Sequence, residues 1–245
     1  MMFPVRKKII AIIVSLHANG NSSYRDAQNL RDLTKKTWNE NGRSIILTDN
    51  IDPFNDTTDI YLVKNKNEFL IKLTDVVTKY SEEYDILFTI SAHGYSLGED
   101  EFIRVRNDKV IDYEIRDALY NQMHVFCHSF CLVDTCHSGS MLDLPWQSEN
   151  GLATMFKMNK EKDAKNLCWN SYCISACNDI ELSGEDVSNF GGWGGRLIGC
   201  FLDYVVQHNT ERKYTKIHII NFYKYVYKLF VNAQYQKSHP VFSRT

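Results

Sequence analysis

Apolar and polar positions follow two rhythms along this chain, and the changes of rhythm mark its elements. "IIAIIVSL" (9–16) is an unbroken, largely β-branched run, the pattern of a strand buried on both faces. In "SSYRDAQNLRDLTKKTWNENG", Ala27, Leu30, Leu33 and Trp38 return roughly to one side at helical spacing. Ser22 or Ser23 supplies the N-cap and Gly42 the stop. "SIILT" (44–48) reads as a second strand and "DNIDPFNDTTD" (49–59) as a polar loop. Phe69, Leu70, Leu73, Val76, Val77 and Tyr80 mark a second helix. "DILFTI" (85–90) is a third strand, ending at "SAHG". "EFIRVR" and "KVIDY" suit a small hairpin, with a short helix near 112–121. "FCLVD" (130–134) is a fourth strand, ending at "TCHSG", and "YCISA" (172–176) a fifth. "GGWGGRLIGCFLDYVVQHN" and "TKIHIINFYKYVYKLFVNA" are amphipathic helices, and "SHPVFSRT" closes with a short strand.

Strands alternating with helices predict an α/β fold, a mostly parallel sheet covered on both faces. A chain of 245 residues fits one such domain. No repeat breaks it. The lysine-rich "KMNKEKDAKN" (157–166) reads as an exposed connection inside the domain. It divides a large part (about 1–156) from a small part (about 168–245), with the linker at about 157–167. The basic N-terminus followed by an apolar run mimics a short signal peptide, but no clean small-residue cleavage site follows, so a first strand is expected. No apolar run approaches the roughly 18 residues of a membrane helix. A net charge of −2 leaves no footprint for nucleic acid. Seven cysteines, an odd number without a C-x-x-C pair, suit free thiols in a reducing, cytoplasmic setting.

Two of the strand ends carry chemistry. His93 follows strand three and Cys136 follows strand four. Ligands of open parallel sheets bind beyond the carboxyl ends of the strands. If the two strands are neighbours, a thiol and an imidazole share one rim, where the imidazole can take the thiol proton. Gly94 and Gly139 leave room for a substrate backbone, and amides after Cys136 can face an oxyanion. The competing reading is a packed cysteine at a strand end, the commoner state of any single thiol. His137 is less suited as the base, because adjacent side chains point apart. His124, Cys127, His128 and Cys131 crowd together, but their span is too short for a tetrahedral zinc site of its own.

"ISAHG" at a strand end followed by "DTCHSGS" and "MLDLPW" resembles the metacaspases, a family of caspase-like cysteine peptidases. "SSYRDAQNL" (22–30), "SACNDIELSGED" (175–186), "GGWGGRLIGCFLDYV" and "QKSHPVFS" extend the resemblance over most of the chain. A caspase proper would carry a Gln-Ala-Cys pentapeptide instead. The resemblance implies a caspase-like three-layer fold, a Cys136 nucleophile, a His93 base, and backbone help to the oxyanion from Gly94 and His137. It carries over Asp26 and Asp134, with Ser91 and Ser23, as the lining of an S1 pocket. Two carboxylates there favour Arg or Lys, where caspases favour Asp. The competing readings are a helix N-terminal acid for Asp26 and a strand-end residue bonded to local backbone for Asp134.

Further expectations follow from the same resemblance. A calcium activator would use Asp143 with Glu99, Asp100 and Glu101, although the region between His93 and Asp112 is shorter than is usual in the family. The competing reading of that acidic turn is a solvated surface. Lys157, Lys160, Lys162 and Lys165 offer self-cleavage sites. Chemistry needs no cofactor beyond a possible Ca²⁺. The partners are protein or peptide substrates with basic P1 residues, and the chain is a monomer. The alternative function is a caspase-like regulatory or binding protein with weak or no turnover. A legumain-type Asn peptidase is disfavoured by the acidic pocket positions and "LDLPW".

Overall fold

The computed structural model describes residues 8–16, 22–38, 42–97, 100–149, 152–158, 171–178, 181–183, 185–188, 192–208, 219–231 and 239–244. Its core is set by the first strand, β1 (Lys8–Ser15). Ile10, Ile12 and Val14 point to one face of the sheet and Ile9, Ala11 and Ile13 to the other, each set joining a separate apolar cluster. A strand that is apolar at every position needs cover on both sides, and helices supply it.

The other strands are β2 (Gly42–Thr48), β3 (Ile60–Leu62), β4 (Tyr84–Ser91), β5 (Gly94–Leu97), β6 (Asp100–Val105), β7 (Asp108–Ile111), β8 (Ser129–Asp134), β9 (Trp146–Glu149), β10 (Leu152–Met158), β11 (Ser171–Ser175), β12 (Glu185–Ser188), β13 (Gly192–Gly195) and β14 (Val241–Arg244). Among the described residues, eight of them join β1 in the main sheet, in the order β10-β9-β14-β11-β8-β4-β1-β2-β3. From β11 to β3 the neighbours are parallel, while β14, β9 and β10 join antiparallel.

Helices α2 (Lys66–Tyr80) and α3 (Asp112–Tyr120) cover one face. Asn65 caps α2 by accepting the Glu68 N–H, and Phe69, Leu73, Val76, Val77 and Tyr80 form its buried stripe. Helices α1 (Ser22–Leu33), α4 (Arg196–His208) and α5 (Ile219–Val231) cover the other face. There Phe130 of β8 meets Phe201 of α4 and Phe222 of α5, with ring centroids 6.2 and 6.3 Å away. The three-layer expectation holds.

The differences are local. Helix α1 ends at Leu33 and continues as a π-helical turn, Thr34–Trp38, so Trp38 is not on an α-helical stripe. The stretch read wholly as the start of α4 is split, since Gly192–Gly195 pairs as a strand with β12 and the helix begins at Arg196. The lysine-rich connection starts later than expected. Lys157 lies in β10, with its backbone opposite Gln147.

Candidate functional site: the rim of the parallel sheet

The strand order reverses around β1. The chain steps from β1 to β2 and β3 on one side, then returns to place β4 and β8 on the other. The crevice at the carboxyl ends beside such a switch point is where an open sheet holds ligands. Ser91 ends β4 and Asp134 ends β8, and they are direct partners in the parallel ladder. His93 and Cys136 each lie two residues further on, so the two turns leave the sheet side by side. The β4–β8 adjacency that the sequence reading required is present.

The turns are also pressed together. A Cβ on Gly94 would stand 1.9 Å from the Cys136 carbonyl oxygen and 2.9 Å from Thr135 Oγ1. Only a glycine lets the backbone after His93 approach the nucleophile's own peptide this closely. His93 is exposed. Cys136 is half-buried, and its thiol donates to the Ser183 carbonyl at 3.8 Å. His137 adopts a left-handed backbone, φ 52°, and donates its N–H to the Glu181 carbonyl at 3.0 Å. In this arrangement that N–H is taken by protein and not turned to an open oxyanion position. The cause is the 181–183 segment lying across the turn.

Asp26, Ser91 and Asp134 come together as the S1 expectation required, from three distant parts of the chain. Ser91 Oγ donates to Asp26 Oδ2 at 2.7 Å. Asp26 Oδ2 also accepts the Gly195 N–H at 3.0 Å. Asp134 Oδ2 accepts the Ile198 N–H at 2.9 Å, in the first turn of α4, and its Oδ1 accepts Ser183 Oγ–H at 2.8 Å. Cβ atoms on Gly194 and Gly195 would stand 2.2 Å from Asp26 Oδ1 and 2.3 Å from Asp134 Oδ2. Both acids are therefore buried, covered by the β13 backbone and Ser183. Burial pushes the Asp134 carboxyl up to about 6, against the Ile198 and Ser183 donors that pull it down. Asp134 thus also fits the competing reading of a strand-end acid bonded to backbone, here at a helix N-terminus. Ser23 is buried close by in sequence, and its Oγ has no hydrogen-bond partner among the described residues.

Sequence reading missed the glycine pair of β13, Ser183, and a clasp beyond them. Glu181 accepts the Asn178 N–H at 3.2 Å and the His239 N–H at 2.8 Å, and its carboxylate also meets His239 Nδ1. The one legible signal was "GGWGG", where four glycines around a tryptophan imply a close backbone approach.

Of the residues expected for calcium, Asp100, Glu101 and Asp143 are described. Among the described residues no three His, Cys, Asp or Glu side chains group as metal ligands. Glu101 is buried and accepts Ser140 Oγ–H at 2.7 Å, Asp143 lies 3.7 Å from the Arg116 guanidinium, and Asp100 is exposed. Glu99 lies outside the described residues, as do Lys160, Lys162 and Lys165. The His/Cys group near β8 is dispersed. The Cys127 thiol donates to Tyr84 O at 3.3 Å, and Cys131 is buried in the sheet against Tyr120 Oη at 3.4 Å.

No helix among the described residues is long and apolar enough to cross a membrane. Neither a protein-family model nor any curated protein matches the chain. Solved structures do match. Protein GSU0716 from Geobacter sulfurreducens is 15% identical, with a TM-score of 0.60, over 97% of this chain and 94% of that one. Caspase-1 from Spodoptera frugiperda is 11% identical, with a TM-score of 0.57, over 98% and 88%. The Drosophila initiator caspase Dronc is 12% identical, with a TM-score of 0.58, over 98% and 79%. At such identities the likeness is one of architecture, and the architecture of this chain is the caspase-like fold.

Proposed function

We propose that the chain is a metacaspase-like cysteine endopeptidase that cuts after Arg or Lys. The observation that carries this reading is the Ser91–Asp134 register, with Gly94 packed on the Cys136 carbonyl. It puts a thiol and an imidazole on adjacent turns of one rim. In the first step His93 accepts the Cys136 proton and the sulfur attacks the substrate carbonyl carbon. The imidazolium returns that proton to the leaving amine as the C–N bond breaks, leaving a thioester. Water, deprotonated by His93, then releases the acid and restores the thiol. The exposed His93 ring suits a base that closes on the thiol when substrate binds. Preference for a basic side chain rests on Asp26 and Asp134 both lying against Gly195 and Ser91 at the same rim. Self-cleavage belongs at Lys160, Lys162 or Lys165 rather than at Lys157, whose strand would have to open first.

The test is stoichiometric labelling by a peptidyl-Arg electrophile together with hydrolysis of P1 Arg, Lys and Asp peptides. Cys136→Ala should abolish both, and His93→Ala should cut turnover by several orders of magnitude while leaving the fold intact. Full hydrolysis by Cys136→Ala ends the proposal. Equal cutting after Asp and Arg ends the specificity. The second reading, a caspase-like regulatory protein, is favoured by the carbonyls of Glu181 and Ser183 that cover the nucleophile's turn. It predicts neither stoichiometric labelling nor turnover.

A further inference from the structure

Four interactions converge on residues 181–183. The Ser183 carbonyl accepts from the Cys136 thiol, and its hydroxyl donates to Asp134. The Glu181 carbonyl takes the His137 N–H and also accepts from the buried Cys177 thiol at 3.4 Å. This one short stretch thus engages the sulfur, the neighbouring amide and one of the two buried acids. Leu182, between them, is 55% exposed, so the stretch is held by its polar groups and not by burial of its side chain. Its far side is tied by the Glu181 carboxylate, which accepts from the backbone N–H groups of Asn178 and His239 and meets the His239 ring, and by the Glu181 N–H, which donates to the Asn178 carbonyl at 3.0 Å. His239 directly precedes Pro240 and β14.

We infer that residues 181–183 are a built-in cover over the Cys136 rim, latched to the C-terminal strand by the Glu181–His239 contact. The inference rests on Cys136 being the reactive thiol of the function proposed above. A thiol that donates to a carbonyl keeps its proton, and a thiolate cannot make that bond. Releasing the cover therefore favours the nucleophilic form, frees the His137 N–H and uncovers Asp134 Oδ1 in one movement. The Glu181 carboxyl is held below its ordinary range: burial opposes this, and the His239 and Asn178 donors outweigh it. The latch carboxylate is thus ionised under ordinary conditions.

The test is the rate at which iodoacetamide alkylates Cys136 in the folded protein, read by peptide mass spectrometry. Sulfur displaces iodide, and the thiol proton leaves to His93 or solvent. Half-buried Cys200, on α4 and packed against the apolar cluster beneath α1, α4 and α5, serves as the internal reference. His239→Ala and Glu181→Gln should each speed Cys136 alkylation relative to Cys200 by roughly threefold to tenfold, the range set by losing one net hydrogen bond. Thermal unfolding identifies a variant that has lost its fold. His239 is half exposed, so its truncation keeps the comparison usable if Glu181→Gln does not fold. An unchanged or slower rate in the folded variants overturns the cover. His93→Ala in each background separates the two ideas. If the dyad is wrong, His93→Ala leaves the wild-type rate unchanged while the latch variants still accelerate it. If the cover is wrong, His93→Ala slows the reaction and the latch variants do nothing.

Discussion

Gly94 is the residue on which the rim geometry turns. With the Cys136 carbonyl oxygen 1.9 Å from where a Cβ would sit, even alanine forces two backbones apart. Gly94→Ala should destabilise the fold by about 1–3 kcal/mol, the range for overpacking, and should displace the nucleophile's turn. Urea denaturation and peptide hydrolysis check both parts, and a variant with wild-type midpoint and activity would contradict the contact. His93 and Cys136 were legible because each lies just past an apolar run, so two strand assignments placed them. Glu181 and His239 were not. They are 58 residues apart in sequence, and neither sits in a pattern that a strand or helix rhythm reveals.

Helix α4 shows why elements matter beyond their own residues. Its first turn points the Ile198 N–H at Asp134, and Phe201 and Phe222 anchor the helix against β8. The buried carboxyl that results has a folded pKa of about 6, above its ordinary value of 3.8. The folded state therefore binds that proton more tightly than the unfolded chain does. The stability it contributes is present below about pH 4 and is lost as pH rises through about 6, at full size about 3 kcal/mol. Asp134→Asn cannot titrate, so its denaturation midpoint should lack this fall between about pH 4 and 6. Parallel curves for the two proteins would show that Asp134 is not the group responsible. Most of the long elements were readable from rhythm alone, including the two-faced cover of β1, but the seven-residue β10 was not. β3, β5, β9, β12 and β13 were not. They are three or four residues long, too short to show a period, and the glycines of β13 carry no side-chain pattern at all. β14 was readable as a strand, but its antiparallel seat between β11 and β9 depends on partners more than 60 residues away.

At the scale of the whole molecule, the order of the sheet sets what a cut in the connection would do. β9 and β10 precede that connection, β11 and β14 follow it, and β8 precedes it again, so in the order β10-β9-β14-β11-β8 the two parts alternate. Ser243 and Arg244 of β14 pair with Gln147 and Trp146 on one side, and β14 runs along β11 on the other. Phe242 at its centre is buried against Tyr172 and Tyr223. A chain cut anywhere between Met158 and Ser171 should therefore migrate as two bands under denaturing conditions and elute as one particle of undiminished mass in native chromatography. Two separate peaks would contradict this strand order. The C-terminal strand works like the tongue of a dovetail joint. It is gripped on one flank by its own piece and on the other by the opposite piece, so the halves cannot slide apart along the sheet. They can part only by breaking hydrogen-bond ladders on two fronts at once. Severing the backbone would then leave the solid object whole and grant its new ends a freedom that the intact chain denies them.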